Sequence, residues 1–366
     1  MTDEEKKYWV ALSQCPGIGP LRFLSLYSRL QKHSVTIKTF WHLPESQVTE
    51  IISSKSILES LLQHRQTFTV EENWKKLQTQ KIHVVSFTED EYPILLREIP
   101  DKPPVLYVKG SLHSINQKPY AIVGTRNITP YGTFVTKKIV QDLVKNSCSI
   151  ISGFMYGVDA VAHQTAIEEG GYTVGVLGFG FNHMYPPNHA KLAEKVLEHG
   201  GALMTEYFID HAPHPGNFPA RNRIVAGLSL GIVVTEAAKK SGSKITAQFA
   251  LEYGRDVFAV PGAITSQYSD GTKDLINDGA KLVTSAEDIL HEMQESSSPI
   301  TLATLLEKCQ LDIDKNILSA LFAQPLEIDE LSQLMKTPVS QIAVRLSVLE
   351  LDGVIVQAQG KYNLSF

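Results

Sequence analysis

No run of about 18 apolar residues, the length a bilayer-spanning helix needs, occurs anywhere in the 366-residue chain. The opening stretch MTDEEKKYWV is charged where a secretory leader would be greasy. These absences lead to the expectation of a cytoplasmic protein with no membrane partner. Cysteine is scarce too, since Cys15, Cys148 and Cys309 are odd in number and far apart. That excludes a disulfide framework and a CxxC metal knuckle, leaving the thiols as small buried hydrophobes. Also missing are Gly-x-x-x-x-Gly-Lys-(Ser/Thr), Gly-x-Ser-x-Gly and His-Glu-x-x-His, the signatures of P-loop, serine-nucleophile and zinc-protease chemistry. A formal net charge of −5 excludes a surface coated in positive charge. A local cationic pocket is still allowed, because screening limits exposed charges to about 8 Å at physiological salt.

What is present divides along the chain. Residues 1–75 read as short amphipathic helices, two of them joined through Pro16-Gly17-Ile18-Gly19-Pro20. That turn has the form of a helix-hairpin-helix element, although a tight connection inside a small helical domain is the better explanation of it. Over residues 82–290 short Val- and Ile-rich runs alternate with helical stretches, the pattern of a doubly wound, mainly parallel α/β sheet. Ligands of such sheets sit outside the carboxyl ends of the strands. A polar, Ser-rich linker follows at 291–303, then two amphipathic helices and an alternating segment around Gly360, which make a winged helix over 304–366. Residues 301–366 hold five Lys or Arg against eight Asp or Glu, and Arg345 is the one cation of the second helix. This composition favours protein contact or autoregulation over duplex reading.

Four loops fall at strand ends of the α/β segment. In VGTRNITPYG, Gly124 admits close approach of a ligand, Thr125 supplies a hydroxyl, and Arg126 offers a planar fork for phosphate oxygens. In HPGNFPARNRIVAGLS, Arg221 and Arg223 open a helix, and no Asp or Glu occurs between His211 and Thr235. Phe218 stands beside them, either stacking on a base or plugging the loop onto the sheet. Ser241-Gly242-Ser243, next to Lys244, is compatible with phosphate and equally with simple helix capping.

These segments, together with SGFMYGVDAVAHQTAIEEGG, GRDVFAVPG and GTKDLINDGAKLV in the same order, strongly resemble the DNA-processing protein A (DprA, or Smf) family over roughly Tyr92 to Val283. The resemblance implies an extended Rossmann-like domain that binds single-stranded DNA, forms a homodimer and loads a RecA-type recombinase during natural transformation. It further implies that Gly124, Thr125 and Arg126 grip phosphate, that Phe218 stacks on a base, and that Asn217, Arg221 and Arg223 complete the pocket. The family's second loop commonly carries Arg or Lys ahead of its glycine, where this chain follows Gly153 with Tyr156. Either Tyr156 stacks on DNA there, or Lys244 restores the charge. Leu275 and Ile276, by the same resemblance, lie where the dimer and recombinase surfaces overlap; otherwise they simply cover the last strand.

A rival expectation is a nucleotide-processing enzyme like the lysine-decarboxylase-like phosphoribohydrolases, with Glu206 and Glu236 as acid and base. The corresponding helix start, SGSKITAQ, has no carboxylate, and the two glutamates are equally explained by ion pairs to the loop arginines. A protein-binding scaffold is the third class. His211 and His214 are too few, without a further ligand nearby, for a zinc site. No metal, cofactor or catalytic residue is therefore expected.

Overall fold

The structure, a computed structural model, describes residues 1–297, 306, 311–351, 354–358 and 360–364. The chain divides into two units, Met1–Ile289 and Leu290–Phe366. The first opens with α1 (Asp3–Ser13), α2 (Pro20–Lys32), α3 (Ile37–His42), α4 (Glu45–Ile51), α5 (Lys55–Thr67) and α6 (Val70–Thr79). Thr2 and Thr36 cap α1 and α3 through their hydroxyls, and Pro20 starts α2 where no intrahelical N–H is needed. The helices close around Trp9, whose ring lies 5.1 to 5.5 Å from those of Phe23, Tyr27 and Phe87. That core also takes in Val84, Val105 and Tyr107 from the sheet. Lys6 adds a polar tie, donating to the Val84 carbonyl at 2.9 Å and pairing with Glu89.

The α/β part runs β1 (His83–Ser86), α7 (Ile94–Glu98), β2 (Val105–Gly110), β3 (Tyr120–Val123), α8 (Pro130–Lys145), β4 (Ile150–Ser152), α9 (Val158–Glu168), β5 (Thr173–Val176) and α10 (Ala190–Glu198). It continues with β6 (Ala202–Thr205), α11 (Asn217–Gly227), β7 (Gly231–Val234), α12 (Ser243–Glu252), β8 (Asp256–Ala259), α13 (Asp270–Asn277), β9 (Lys281–Leu282) and α14 (Ala286–Ser297). The strands form one sheet in the order β1-β2-β6-β5-β4-β3-β7-β8-β9, parallel except where β2 pairs with β1 and β6. Every residue of β3 to β7 is buried, which is why these strands read as unbroken apolar runs. Chain order reverses at β3, where Tyr120 pairs with Ile150 on one side and Gly231 on the other. A doubly wound sheet opens a crevice at such a point. The strands expected from the Val- and Ile-rich runs are present as β1 to β8. The ninth, β9, is two residues long, too short to leave a pattern.

In the second unit, α15 (Asp312–Ala323), α16 (Ile328–Met335) and α17 (Val339–Leu351) precede the antiparallel hairpin β10 (Ile355–Ala358) and β11 (Lys361–Leu364). This is a winged helix. Glu327 and Glu330 form a capping box at the start of α16. Arg345, the cation of α17, grips Asp314 through two hydrogen bonds of 2.7 and 2.8 Å. Within the expected linker 291–303, α14 continues to Ser297, while 298–303 lie outside the described residues, as does Cys309. Cys15 and Cys148 are buried.

Because Trp9 links the N-terminal helices to the sheet, Trp9→Ala is expected to lower the unfolding free energy of the first unit by about 3–5 kcal/mol. Urea denaturation followed by far-ultraviolet dichroism checks this. A loss confined to the helical segment, with sheet stability unchanged, would show that the two do not share a core.

Candidate functional site

A cavity of about 410 Å³ opens at the carboxyl end of β3, against the first turns of α11 and α12. Gly124, Thr125 and Arg126 form one wall. Their loop is pinned from behind: the Thr125 N–H donates to the Glu236 carbonyl at 2.7 Å, and the Val158 N–H to the Thr125 carbonyl at 3.2 Å. Gly124 has no room for a side chain, since a Cβ would come within 2.5 Å of Val158. Gly157, at φ +75°, turns the neighbouring loop against the Thr125 and Arg126 backbone.

The Glu236 side chain explains why the βα turn departs from a dinucleotide fingerprint. Its carboxylate accepts from the Thr129 N–H at 3.0 Å and the Thr129 hydroxyl at 2.5 Å. Thr129 in turn caps α8 by accepting from the Gly132 N–H. The protein's own carboxylate therefore fills the helix N-terminus where a pyrophosphate would bind. Gly132 is needed because a Cβ there would collide with that carboxylate.

Arg221 forms the floor of the cavity. It is 2% exposed and donates to the carbonyls of Gly153 and Val176. Burial lowers its pKa to about 10, so it stays charged at neutral pH. Asp159, also buried, accepts from the Met155 N–H at 3.1 Å. Burial raises its carboxyl above the usual range, while Arg221 pulls it back. On the rim, the exposed Arg126 guanidinium lies 5.8 Å from the Phe218 ring centroid, and Tyr185 packs against Phe218 at 5.2 Å. Ser241 and Ser243 bond to each other at the start of α12, where Asn222 donates to the Gly242 carbonyl.

The structure thus brings Gly124, Thr125, Arg126, Gly153, Phe218 and Arg221 to one cavity. Ser241, Gly242 and Ser243 line the same cavity, while the remaining residues singled out in the sequence stand elsewhere. Asn217, one residue before Phe218, holds the His211 ring at 2.9 Å. Arg223 points to the opposite flank of α11, paired with Glu206 at 2.5 Å and Asp101 at 3.3 Å. Lys244 reaches Asp274 at 2.8 Å, joining α12 to α13. Tyr156 is 39% exposed, with its ring edge against His189. Leu275 is buried in the main core, and Ile276 is half-buried against it. Of the candidate acid and base, Glu206 lies beside Arg223 and Glu236 under α8. Asp159, Lys240 and Asn222 line the cavity without having been singled out. The double lysine ahead of Ser241 was a signal for Lys240; nothing local marked Asp159. Among the described residues, no three His, Cys, Asp or Glu side chains gather to hold a metal, and no helix is long and apolar enough to cross a membrane.

A family model for DNA recombination-mediator protein A matches residues 83–294, and one for the DprA winged helix domain matches 312–361. Protein Smf of Escherichia coli is 34% identical over 354 residues, covering 93% of this chain and 94% of that protein. DNA processing protein DprA of Bacillus subtilis is 40% identical over 223 residues, covering 61% of this chain and 75% of that protein. Among solved structures, DNA processing protein A of Streptococcus pneumoniae superposes with a TM-score of 0.69 at 33% identity, covering 80% of this chain and 98% of that one. The Helicobacter pylori protein, whose structure addresses its single-stranded DNA binding mode, gives a TM-score of 0.53 at 29% identity over 59% of this chain and 97% of its own.

The raised Asp159 carboxyl has a pH signature. A group that holds its proton more tightly when folded stabilises the fold below its ordinary value, 3.8 here, and loses that contribution as pH rises through the raised value. Asp159→Asn removes the titration, so the variant should gain stability relative to wild type as pH rises from about 4. Urea denaturation at stepped pH checks it; a constant offset between the proteins would contradict it.

Proposed function

Because the chain belongs to the DNA recombination-mediator protein A family, also called DprA or Smf, we propose that the cavity at the end of β3 clasps one unpaired DNA strand. The observation that carries this reading is the exposed Arg126 guanidinium lying over the Phe218 ring at the cavity mouth. An incoming base takes the place over the ring while Arg126 turns to the adjoining phosphate. A stacked base contributes roughly 1–3 kcal/mol with little regard to its identity, which suits a strand of any sequence. Arg221 and the first turns of α11 and α12 add a fixed positive field that needs no reorganisation. In this reading no bond is made or broken; among the described residues Asp159 is the one carboxylate lining the cavity, and the Met155 N–H already donates to it. In the cytosol, the clasped strand is handed to a RecA-type recombinase.

So small a pocket binds weakly alone, and a homodimer presenting two pockets to one strand raises the effective concentration of the second. Leu275 is committed to the core, so the surface for self-association beside it consists of Ile276 and, on edge strand β9, Leu282, which is 48% exposed.

Two measurements test this reading. Anisotropy titrations with single- and double-stranded oligonucleotides at stepped salt should show single-strand preference. Arg126→Ala should cost on the order of tenfold in affinity and make the salt slope shallower by about 0.7, one phosphate's worth. Unchanged affinity and slope would remove Arg126 from the interface. For self-association, Ile276→Asp should sediment as a monomer under conditions where wild type is dimeric; a dimeric variant would place the contact elsewhere.

A further inference from the structure

On the opposite flank of α11 lies a second cavity, of about 620 Å³, closed on its far side by Ile18, Gly19 and Pro20 of the turn between α1 and α2. One helix therefore separates two openings. Phe218, Arg221 and Asn222 line the first, Ala220 and Arg223 the second. The second has a buried polar lining. Arg223 is 7% exposed and held by Glu206 and Asp101, yet its Nη1 is buried without a partner. A buried N–H left unmet is costly, so an acceptor that reached it through a small shift of the Arg223 side chain would be stabilised. Beside it Tyr207 stacks on His211, with ring centroids 4.7 Å apart. At the mouth stand exposed Leu21 and Arg22, in a first turn of α2 that has no acidic residue and no side-chain cap.

Resting on the reading of the first cavity as a strand clasp, we propose that a further nucleotide of the same strand occupies this second cavity, its base inside and its phosphate at the start of α2. A base edge carries donors and acceptors side by side. That matches an unpaired guanidinium N–H set next to two carboxylates, whereas a bare phosphate would be repelled by Asp101 and Glu206. The aromatic pair supplies the surface on which the base lies. Outside, the first-turn amides of α2 and the Arg22 side chain suit the phosphate. A helix is about 10–12 Å across with its side chains, so a strand needs only a few nucleotides to pass over α11 from one cavity to the other. The Gly-x-Gly turn, unused by the first cavity, thereby becomes one edge of a nucleotide site.

The test uses the full chain and a ladder of single-stranded oligonucleotides from about 4 to about 16 nucleotides. Two variants are placed at exposed positions. Leu21→Glu puts a negative charge at the first turn of α2, which favours the helix and repels a phosphate, and Ala220→Trp narrows the mouth. Wild type should bind more tightly as length grows. Both variants should match it on the shortest strand and lose about tenfold on the longest, as removing one phosphate contact or one stacked base would do. Arg126→Ala should lose affinity at every length. If Leu21→Glu and Ala220→Trp follow wild type at all lengths, or lose affinity equally at all lengths, the second station does not exist while the first stands. If wild type binds no single strand at any length, the first reading fails and takes this one with it.

Discussion

A buried guanidinium holds the candidate site together. Arg221 sits under the cavity and donates to the carbonyls of Gly153, just after β4, and Val176, at the end of β5. One nitrogen, Nη1, thus ties α11 to two strand ends, while Nε of the same guanidinium donates to the Asn222 side chain at 3.3 Å. Burying a charge costs several kcal/mol unless hydrogen bonds and neighbouring charge offset it. Two carbonyls and Asp159 do so here. Gly153 leaves the space, because a Cβ there would lie 2.8 Å from both the guanidinium and the Asp159 carboxylate. Since α11 also carries Phe218, the position of the ring at the mouth depends on the arginine beneath it.

The second constraint is what the sheet does with its other helix start. In a dinucleotide fold the N-terminus of the helix after the first strand of the crevice binds a pyrophosphate. In this chain Glu236, at the end of β7, occupies the N-terminus of α8 through Thr129. The positive end of that helix is satisfied internally. What remains for an external anion lies toward α11 and α12, next to an exposed arginine and an aromatic ring. This displacement turns a cofactor crevice into an open cleft, a shape that suits a strand passing through better than a molecule enclosed.

Much of this was legible in the sequence, for physical reasons. Strands buried on both faces leave continuous apolar runs, and Gly124 and Arg126 stand where β3 must hand over to α8, so the fold and one cavity wall could be read directly. Arg221 and Arg223, two residues apart on a helix, were read as one group, yet that spacing turns them about 200° apart, and they face different cavities. Lys244, offered by its place after a serine turn as one way to restore charge at the pocket, pairs instead with Asp274, thirty residues on. Asp159 was invisible because its role comes from burial beside Arg221, a contact the linear order does not announce. The loop glutamates divide in the same way: Glu206 does pair with Arg223, whereas Glu236 serves a backbone N–H and a hydroxyl that no charge pattern could flag.

The central claim is that an unpaired strand lies across the cleft beside β3, with Arg126 on a phosphate and a base over Phe218. The most direct test is a crystal structure of the full chain with a short single-stranded oligonucleotide. The account predicts a phosphate oxygen within hydrogen-bonding reach of the Arg126 guanidinium and a base stacked on the Phe218 ring. Oligonucleotide bound on another face of the first unit, or on the winged helix alone, with Arg126 still lying over Phe218, would contradict it.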